Sequence, residues 1–144
     1  MRAGVLIVAT LLCGCAGERV VVLPEPPRGV ALEVLLRAHP LPEDRDILPV
    51  EIARGAAASV SLIQIRDREV PHLHTRYDLT VLLVRGHGVL WLAGTPVAMR
   101  SGDVAFVPRG TPHHFINADD ARAVALVSFA PAFDGPDTQP AAAP

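Results

Sequence analysis

Lysine is missing from the 144-residue sequence, in which arginine supplies every basic residue. Reactions that proceed through a lysine Schiff base, including the usual pyridoxal-phosphate chemistry, are therefore excluded. The formal net charge is −2 at pH 7, and no basic patch suited to nucleic acid is present. The His-Glu-x-x-His helix of zinc hydrolases, the glycine-rich phosphate loop and the Gly-x-Ser-x-Gly elbow are missing too. Half of the residues are apolar, which is enough to build the core of one domain.

Cysteine is scarce, and both cysteines, Cys13 and Cys15, lie close to the N-terminus. Arg2 precedes an apolar run that extends from residue 3 to Leu12. This run has the length of the hydrophobic region of a signal peptide and is shorter than the roughly 20 residues that span a bilayer. A processed signal would remove Cys13.

The sequence "LCGC" at the end of this run resembles a bacterial lipobox, with Leu12, Gly14 and Cys15 in the expected places. The resemblance implies that residues 1–14 are a signal peptide and that Cys15 carries lipid. It also implies a location in the bacterial cell envelope, at the periplasmic side of the outer membrane if the organism is Gram-negative. Neither a disulfide nor a catalytic thiol would then remain. An ordinary secretory signal, or a cytosolic protein with an apolar start, is the alternative.

Residues 15–46 are predicted to be a lipidated tether that contains a short helix. Pro24, Pro26 and Pro27 favour an extended, polyproline-like chain. The following "GVALEVLLRAH" places Val30 and Val34 at helical spacing, so that an apolar stripe would pack on the next domain. A strand within the tether is the alternative.

Residues 47–130 are predicted to form an antiparallel β-barrel or sandwich. Short β-branched runs alternate here with Gly, Pro and Asp turn signals at intervals of about eight to twelve residues, which is typical of such folds. The remaining residues, 131–144, are rich in Pro and Ala and are predicted to be disordered. The fold class is therefore all-β.

Two histidines, His72 and His74, lie one residue apart in "PHLHTRYD". In a strand, side chains at i and i+2 share a face, so both imidazoles can reach one ion at about 2.0–2.1 Å. The later segment "SGDVAFVPRGTPHHFIN" predicts a strand, a turn and a returning strand, on which His113 and His114 point to opposite faces. Only one of these two can join the first pair, and His114 is expected to face outward.

The spacing of the later segment resembles that of the cupins, small β-barrels that hold a metal inside. The cupin second motif is Gly, five residues, Pro-x-Gly, two residues, His, three residues and Asn; the matching residues are Gly102, Pro108, Gly110, His113 and Asn117. From the first motif, His72, His74 and the closing Gly86 match. The resemblance implies a cupin barrel with His72, His74 and His113 as metal ligands.

The sequence departs from the cupin pattern at the acidic ligand of the first motif. Asp78 stands where Glu is usual, and seven residues rather than six separate it from Gly86. Because a one-residue slip turns a strand's side chains to the other face, Asp78 can face the metal only if a bulge or loop absorbs the extra residue. With six residues, the position falls on Leu79, which cannot bind metal. The prediction is four ligands including Asp78; the alternative is a three-histidine site completed by water.

The cupin resemblance implies one divalent metal ion, either Fe, Mn, Zn, Ni or Cu, whose identity the spacing does not decide. It further implies a small-molecule partner and a homodimer. Three functions remain open: a metalloenzyme of the dioxygenase or isomerase type, a non-catalytic envelope module that binds or senses a metal or small ligand, and a structural role for the metal.

Three residues near the expected ligands are candidates for substrate binding. Arg76 and Arg109 could bind an anion, since a guanidinium suits a carboxylate, and Tyr77 could donate a hydrogen bond. A roomy pocket with polar groups beyond the ligands would favour catalysis. A pocket filled by Val, Leu and Phe would favour a structural role.

Overall fold

The computed structural model describes residues 19–24 and 26–142, which form two five-stranded antiparallel sheets, a separate hairpin and a short helix. The elements, in chain order, are β1 (Val20–Pro24), β2 (Pro27–Ala31), α1 (Leu32–Ala38), β3 (Ile47–Arg54), β4 (Ser59–Ile65), β5 (His72–His74), β6 (Asp78–Arg85), β7 (His87–Leu92), β8 (Thr95–Arg100), β9 (Val104–Val107), β10 (His113–Asn117), β11 (Ala123–Ala130) and β12 (Thr138–Pro140). One sheet has the order β12-β5-β10-β7-β8 and the other β3-β4-β11-β6-β9.

The two sheets face each other across a single apolar core. Leu90 and Phe115 from the first sheet pack in one cluster with Leu79, Leu83 and Phe129 from the second. Each of these side chains is buried, as expected for the inward positions of strands that alternate between core and exterior. The predicted all-β fold of antiparallel strands is confirmed.

Strand β6 contains a β-bulge near its C-terminal end. Val124 of β11 pairs with Arg85, while the next residue of β11 pairs with Leu83, so Val84 is the additional residue. The rest of the strand, residues 78–83, pairs with β11 without a shift. Before the bulge the alternation is regular, and Leu79 points to the core whereas its neighbour Asp78 does not.

The segment predicted to be an extended tether is a hairpin followed by the helix. Strands β1 and β2 pair with each other over residues 20–31, and α1 follows directly. The helix buries Leu32, Leu35 and Leu36 against Leu62 on the outer face of the second sheet, while Val34, expected in the buried stripe, is exposed. The helix has seven residues, and no helix in the described part of the chain is long and apolar enough to cross a membrane. Residues 1–14 and Cys15, the expected signal peptide and lipidation site, lie outside the described residues.

The segment after residue 130, predicted to be disordered, is built onto the barrel as far as residue 142. Strand β12 pairs with the outer edge of β5, and Phe133 packs on Tyr77 and Phe129 with ring centroids 5.2 Å apart in each case. Although the Pro/Ala-rich composition of this segment indicates disorder, a few anchoring side chains hold it against the barrel in the structure.

Candidate metal centre

Three histidines converge inside one end of the barrel. His72 and His74 share a face of β5, and His113, the first residue of β10, pairs directly opposite His72. The ring centroid of His72 lies 5.2 Å from that of His74 and 4.4 Å from that of His113, and the remaining pair is 5.6 Å apart. One nitrogen of each ring lies within 4.8 Å of the others. The structure therefore brings together the three imidazoles that the sequence singled out.

The Pro-x-Gly turn before β10 positions the two histidine segments relative to each other. The N–H of Gly110 donates a hydrogen bond of 2.6 Å to the carbonyl oxygen of His74. Gly110 has a φ of +76°, a conformation that non-glycine residues rarely adopt. The spacing from Pro108 to His113 thus reflects a tight turn that contacts the His-x-His strand.

Each of the three imidazoles is held by a hydrogen bond at Nδ1. The acceptors are the carbonyl oxygen of Val70 for His72 at 2.7 Å, Oδ1 of Asp137 for His74 at 2.7 Å, and the carbonyl oxygen of Thr111 for His113 at 2.9 Å. A carbonyl or carboxylate oxygen only accepts, so Nδ1 carries a proton, and in the neutral ring the lone pair is then on Nε2. Although burial acts to raise it, hydrogen bonds from His74 and the Arg76 N–H hold the pKa of Asp137 below its ordinary value. All three rings are therefore in the tautomer that a metal ligand requires.

The donor set fits a divalent transition metal. Burial, opposed by the hydrogen bond to Thr111, lowers the pKa of His113 to about 4, so the ring is neutral at pH 7, as metal binding requires. Two nitrogens bound to one ion at about 2.0–2.1 Å are about 2.8–3.4 Å apart at tetrahedral or octahedral angles. The donor atoms of the three rings, within 4.8 Å of one another, would draw closer to bind one ion.

Asp78, expected as a fourth ligand, lies apart from the three histidines in the structure. Its carboxylate accepts hydrogen bonds from Arg109, at 2.9 Å from the backbone nitrogen and at 3.1 and 2.7 Å from the guanidinium. These bonds lower the pKa of Asp78 to about 2. The physical reason is the alternation of side chains along β6: Leu79, which pairs with Phe129, lies on the interior face, so its neighbour Asp78 lies on the other face.

Glu69 is the carboxylate that lines the cavity, and no sequence motif indicates it. The Phe115 N–H donates to Oε2 of Glu69 at 2.8 Å, while the Glu69 N–H donates to the Phe115 carbonyl at 2.9 Å. Burial raises the pKa of the Glu69 carboxyl group. The nearby His72 and the hydrogen bond from the Phe115 N–H act to lower this pKa, but burial has the larger effect. The one sequence signal is its place three residues before His72.

The site consists of a small inner cavity and a larger outer groove. The inner cavity has a volume of about 70 Å³, and apart from Glu69 and the three histidines its lining is apolar. The groove has a volume of about 400 Å³ and shares Ile63, Glu69, His72, His74 and Phe129 with the cavity. The interior is thus largely filled by apolar side chains, as a structural role would require, while the groove has the size of a small-molecule pocket.

The three candidate substrate-binding residues lie outside this lining. Arg109 pairs with Asp78, as described above. Arg76 pairs with Asp134 at 2.6 Å, and the Tyr77 hydroxyl donates to the same carboxylate. The structure therefore does not bring Arg76, Tyr77 or Arg109 to the cavity, because each is engaged by a carboxylate that the sequence did not link to it.

Comparison with known proteins agrees with this geometry. Residues 60–129 match the family model described as the cupin domain. The sheets and this match together show that residues 60–129 form a cupin domain.

Two relatives and one solved structure show the extent of the similarity. An uncharacterized protein of Aquifex aeolicus is 39% identical over 77 residues, which are 54% of this chain and 63% of the relative. Acireductone dioxygenase of Geobacillus kaustophilus is 36% identical over 67 residues, which are 42% of this chain and 37% of the enzyme. The chain thus matches less than two thirds of either relative. KdgF from a Halomonas species superimposes with a TM-score of 0.61 at 21% identity, covering 68% of this chain and 91% of KdgF, a likeness of fold alone.

Proposed function

We propose that this protein binds one divalent transition-metal ion through His72, His74 and His113 and uses it in a dioxygenase-like reaction on a small molecule. The observation that carries the proposal is the shared tautomer of the three rings. Each Nδ1–H is fixed by an acceptor, so three Nε2 lone pairs remain available within a buried end of the barrel.

A bound ion of this kind supplies Lewis acidity or, if it is iron or copper, a site for activating O₂. The three histidines leave coordination positions open, because no carboxylate of the described residues joins their cluster. The hydrocarbon lining excludes bulk water from the cavity. Glu69 receives a proton from the substrate at Oε1, since Oε2 already accepts the Phe115 N–H.

The lining also indicates the charge of the substrate. No arginine of the described chain lines the cavity or the groove, and Glu69 contributes a carboxyl group to both. An anionic substrate would therefore meet no cationic side chain there. We infer that the substrate is small, uncharged and largely apolar, with a hydroxyl or similar donor that Glu69 accepts.

The sequence similarity to acireductone dioxygenase supports the choice of oxygenase chemistry. The match covers 37% of that enzyme, so its substrate is not carried over to this chain.

The metal assignment is tested by elemental analysis of protein purified without chelator. We expect one metal ion per chain in the wild type and loss of that metal in His113→Ala. His87→Ala is the matched control, because His87 is exposed and contacts only Asp119 among carboxylates, at 3.1 Å. Equal metal content in wild type and His113→Ala would refute the site.

The reaction class is tested with iron-loaded protein in an oxygen electrode. Uncharged phenols and enols are offered alongside carboxylates of similar size. We expect oxygen uptake above the His113→Ala background with uncharged compounds. Binding of such compounds without uptake would instead favour a non-catalytic module that holds or senses a small ligand.

We further propose that the protein is lipid-anchored at the cell envelope through Cys15, as the lipobox-like sequence supports. Mass spectrometry of the mature N-terminus should find an acylated cysteine, and Cys15→Ser should leave the membrane fraction.

A homodimer is also proposed, because Val104 and Phe106 on edge strand β9 are 64% and 59% exposed and form an apolar surface. Sedimentation analysis of Phe106→Ser should show monomers where the wild type dimerises.

A further inference from the structure

Asp137 holds a buried position beside the three histidines, although it belongs to the segment that follows the barrel. Its side chain is 4% exposed, and its Oδ1 lies 2.7 Å from Nδ1 of His74. Its Oδ2 accepts the N–H of Arg76 at 2.8 Å. Both carboxylate oxygens are thus engaged, which fixes the plane of the carboxylate and, through it, the orientation of the His74 ring.

The chain around Asp137 is fixed to the same strand that carries two of the histidines. Thr138 pairs with His74 and Pro140 with His72 across β12 and β5. The N–H of Ala141 then donates to the carbonyl of Pro71 at 3.0 Å. On the other side of Asp137, Asp134 accepts from Tyr77 and pairs with Arg76. The backbone therefore has little freedom to carry Asp137 away from His74.

Among the described residues, no carboxylate accepts a hydrogen bond from either of the other two histidines. His72 and His113 donate to backbone carbonyls of residues two positions away along the chain. A carboxylate accepts a charge-assisted hydrogen bond, which is stronger than one to a neutral carbonyl and makes the ring a better electron donor at Nε2. Asp137 therefore increases the electron-donor strength of His74 at Nε2.

We propose that residues 131–142 complete the metal site and that Asp137 is a positioning residue that orients and polarises His74. This inference rests on the proposed metal binding by the three histidines. It predicts that metal affinity depends on a segment that follows the predicted barrel of residues 47–130. It also predicts that this dependence acts through the imidazole of His74.

The test compares the zinc affinity of full-length variants by competition with a chromogenic chelator. Asp137→Ala should bind zinc about 10- to 100-fold more weakly than the wild type, and Asp137→Asn, which keeps an acceptor but loses the charge, should lie between them. Two controls separate this effect from general loosening. Asp134→Asn weakens another anchor of the same segment, and Asp119→Asn removes the carboxylate from the exposed His87 pair. Both should bind zinc as the wild type does.

Nitrogen-15 NMR of the histidine rings in the metal-free protein gives an independent readout. The wild type should show His74 with the proton on Nδ1, and Asp137→Ala should show a mixture of tautomers for that ring alone. A wild type that binds no zinc would overturn the proposed function and this inference together. Zinc binding by the wild type with unchanged affinity in Asp137→Ala, or an equal loss in Asp134→Asn, would overturn the inference and leave the proposed function standing.

Discussion

Burial of His113 predicts that the metal-free protein loses stability in mild acid. Its pKa is about 4 in the fold against about 6.5 for an ordinary histidine, and burial is the main cause of the difference. Between these two values the unfolded chain binds a proton on this ring and the folded chain does not. Stability should therefore be fully present above pH 6.5 and fall as the pH is lowered toward 4. At about 1.36 kcal/mol for each pH unit, this interval amounts to about 3 kcal/mol.

The measurement is urea unfolding of chelator-treated protein at several pH values between 4 and 7.5, with the wild type compared with His113→Gln. The variant has no ring to titrate at this position, so its curve should be flatter by about 3 kcal/mol over the interval. His87→Gln removes an exposed histidine instead and should follow the wild type. Parallel curves for the wild type and His113→Gln would refute the claim that burial keeps this ring neutral.

Three further predictions concern the site. Asp78→Asn should leave the metal content of the protein unchanged, since the carboxylate pairs with Arg109; a loss of metal on elemental analysis would return Asp78 to the ligand set. Leu79→Glu should destabilise the metal-free protein by about 3 kcal/mol, because a carboxyl group replaces a buried leucine. The same substitution should raise zinc affinity, because it supplies a carboxylate on the interior face. Calorimetric unfolding and chelator competition measure the two effects, and weaker zinc binding would contradict the assigned face. Zinc at about 100 times its dissociation constant should stabilise the wild type by about 2.7 kcal/mol in thermal unfolding, and should not stabilise His113→Ala. Equal stabilisation of the two proteins would contradict the three-histidine site.

The sequence predicted the parts of the site that depend on local spacing. Alternation along a strand placed His72 and His74 on one face, and the interval from Gly102 to Asn117 predicted the turn that brings His113 beside them. These features follow from backbone geometry over a few residues, and the structure has them.

The parts that the sequence did not predict depend on long-range contacts. The extra residue before Gly86 was visible, but which of Asp78 and Leu79 faces the interior depends on the pairing of β6 with β11. Asp137 lies 63 positions from His74, in a segment whose composition indicates disorder. Glu69 was missed for a related reason, since its carboxylate contacts a strand 46 positions away.

The size of the inner cavity restricts how any reactant can approach the imidazoles. About 70 Å³ holds an ion and at most a few water molecules. A molecule of more than a few heavy atoms must keep its body in the outer groove and extend one end past Glu69. The small inner cavity therefore selects which end of an elongated molecule reacts. The protein should discriminate sharply between positional isomers, and less sharply between molecules that differ only in the part that stays in the groove.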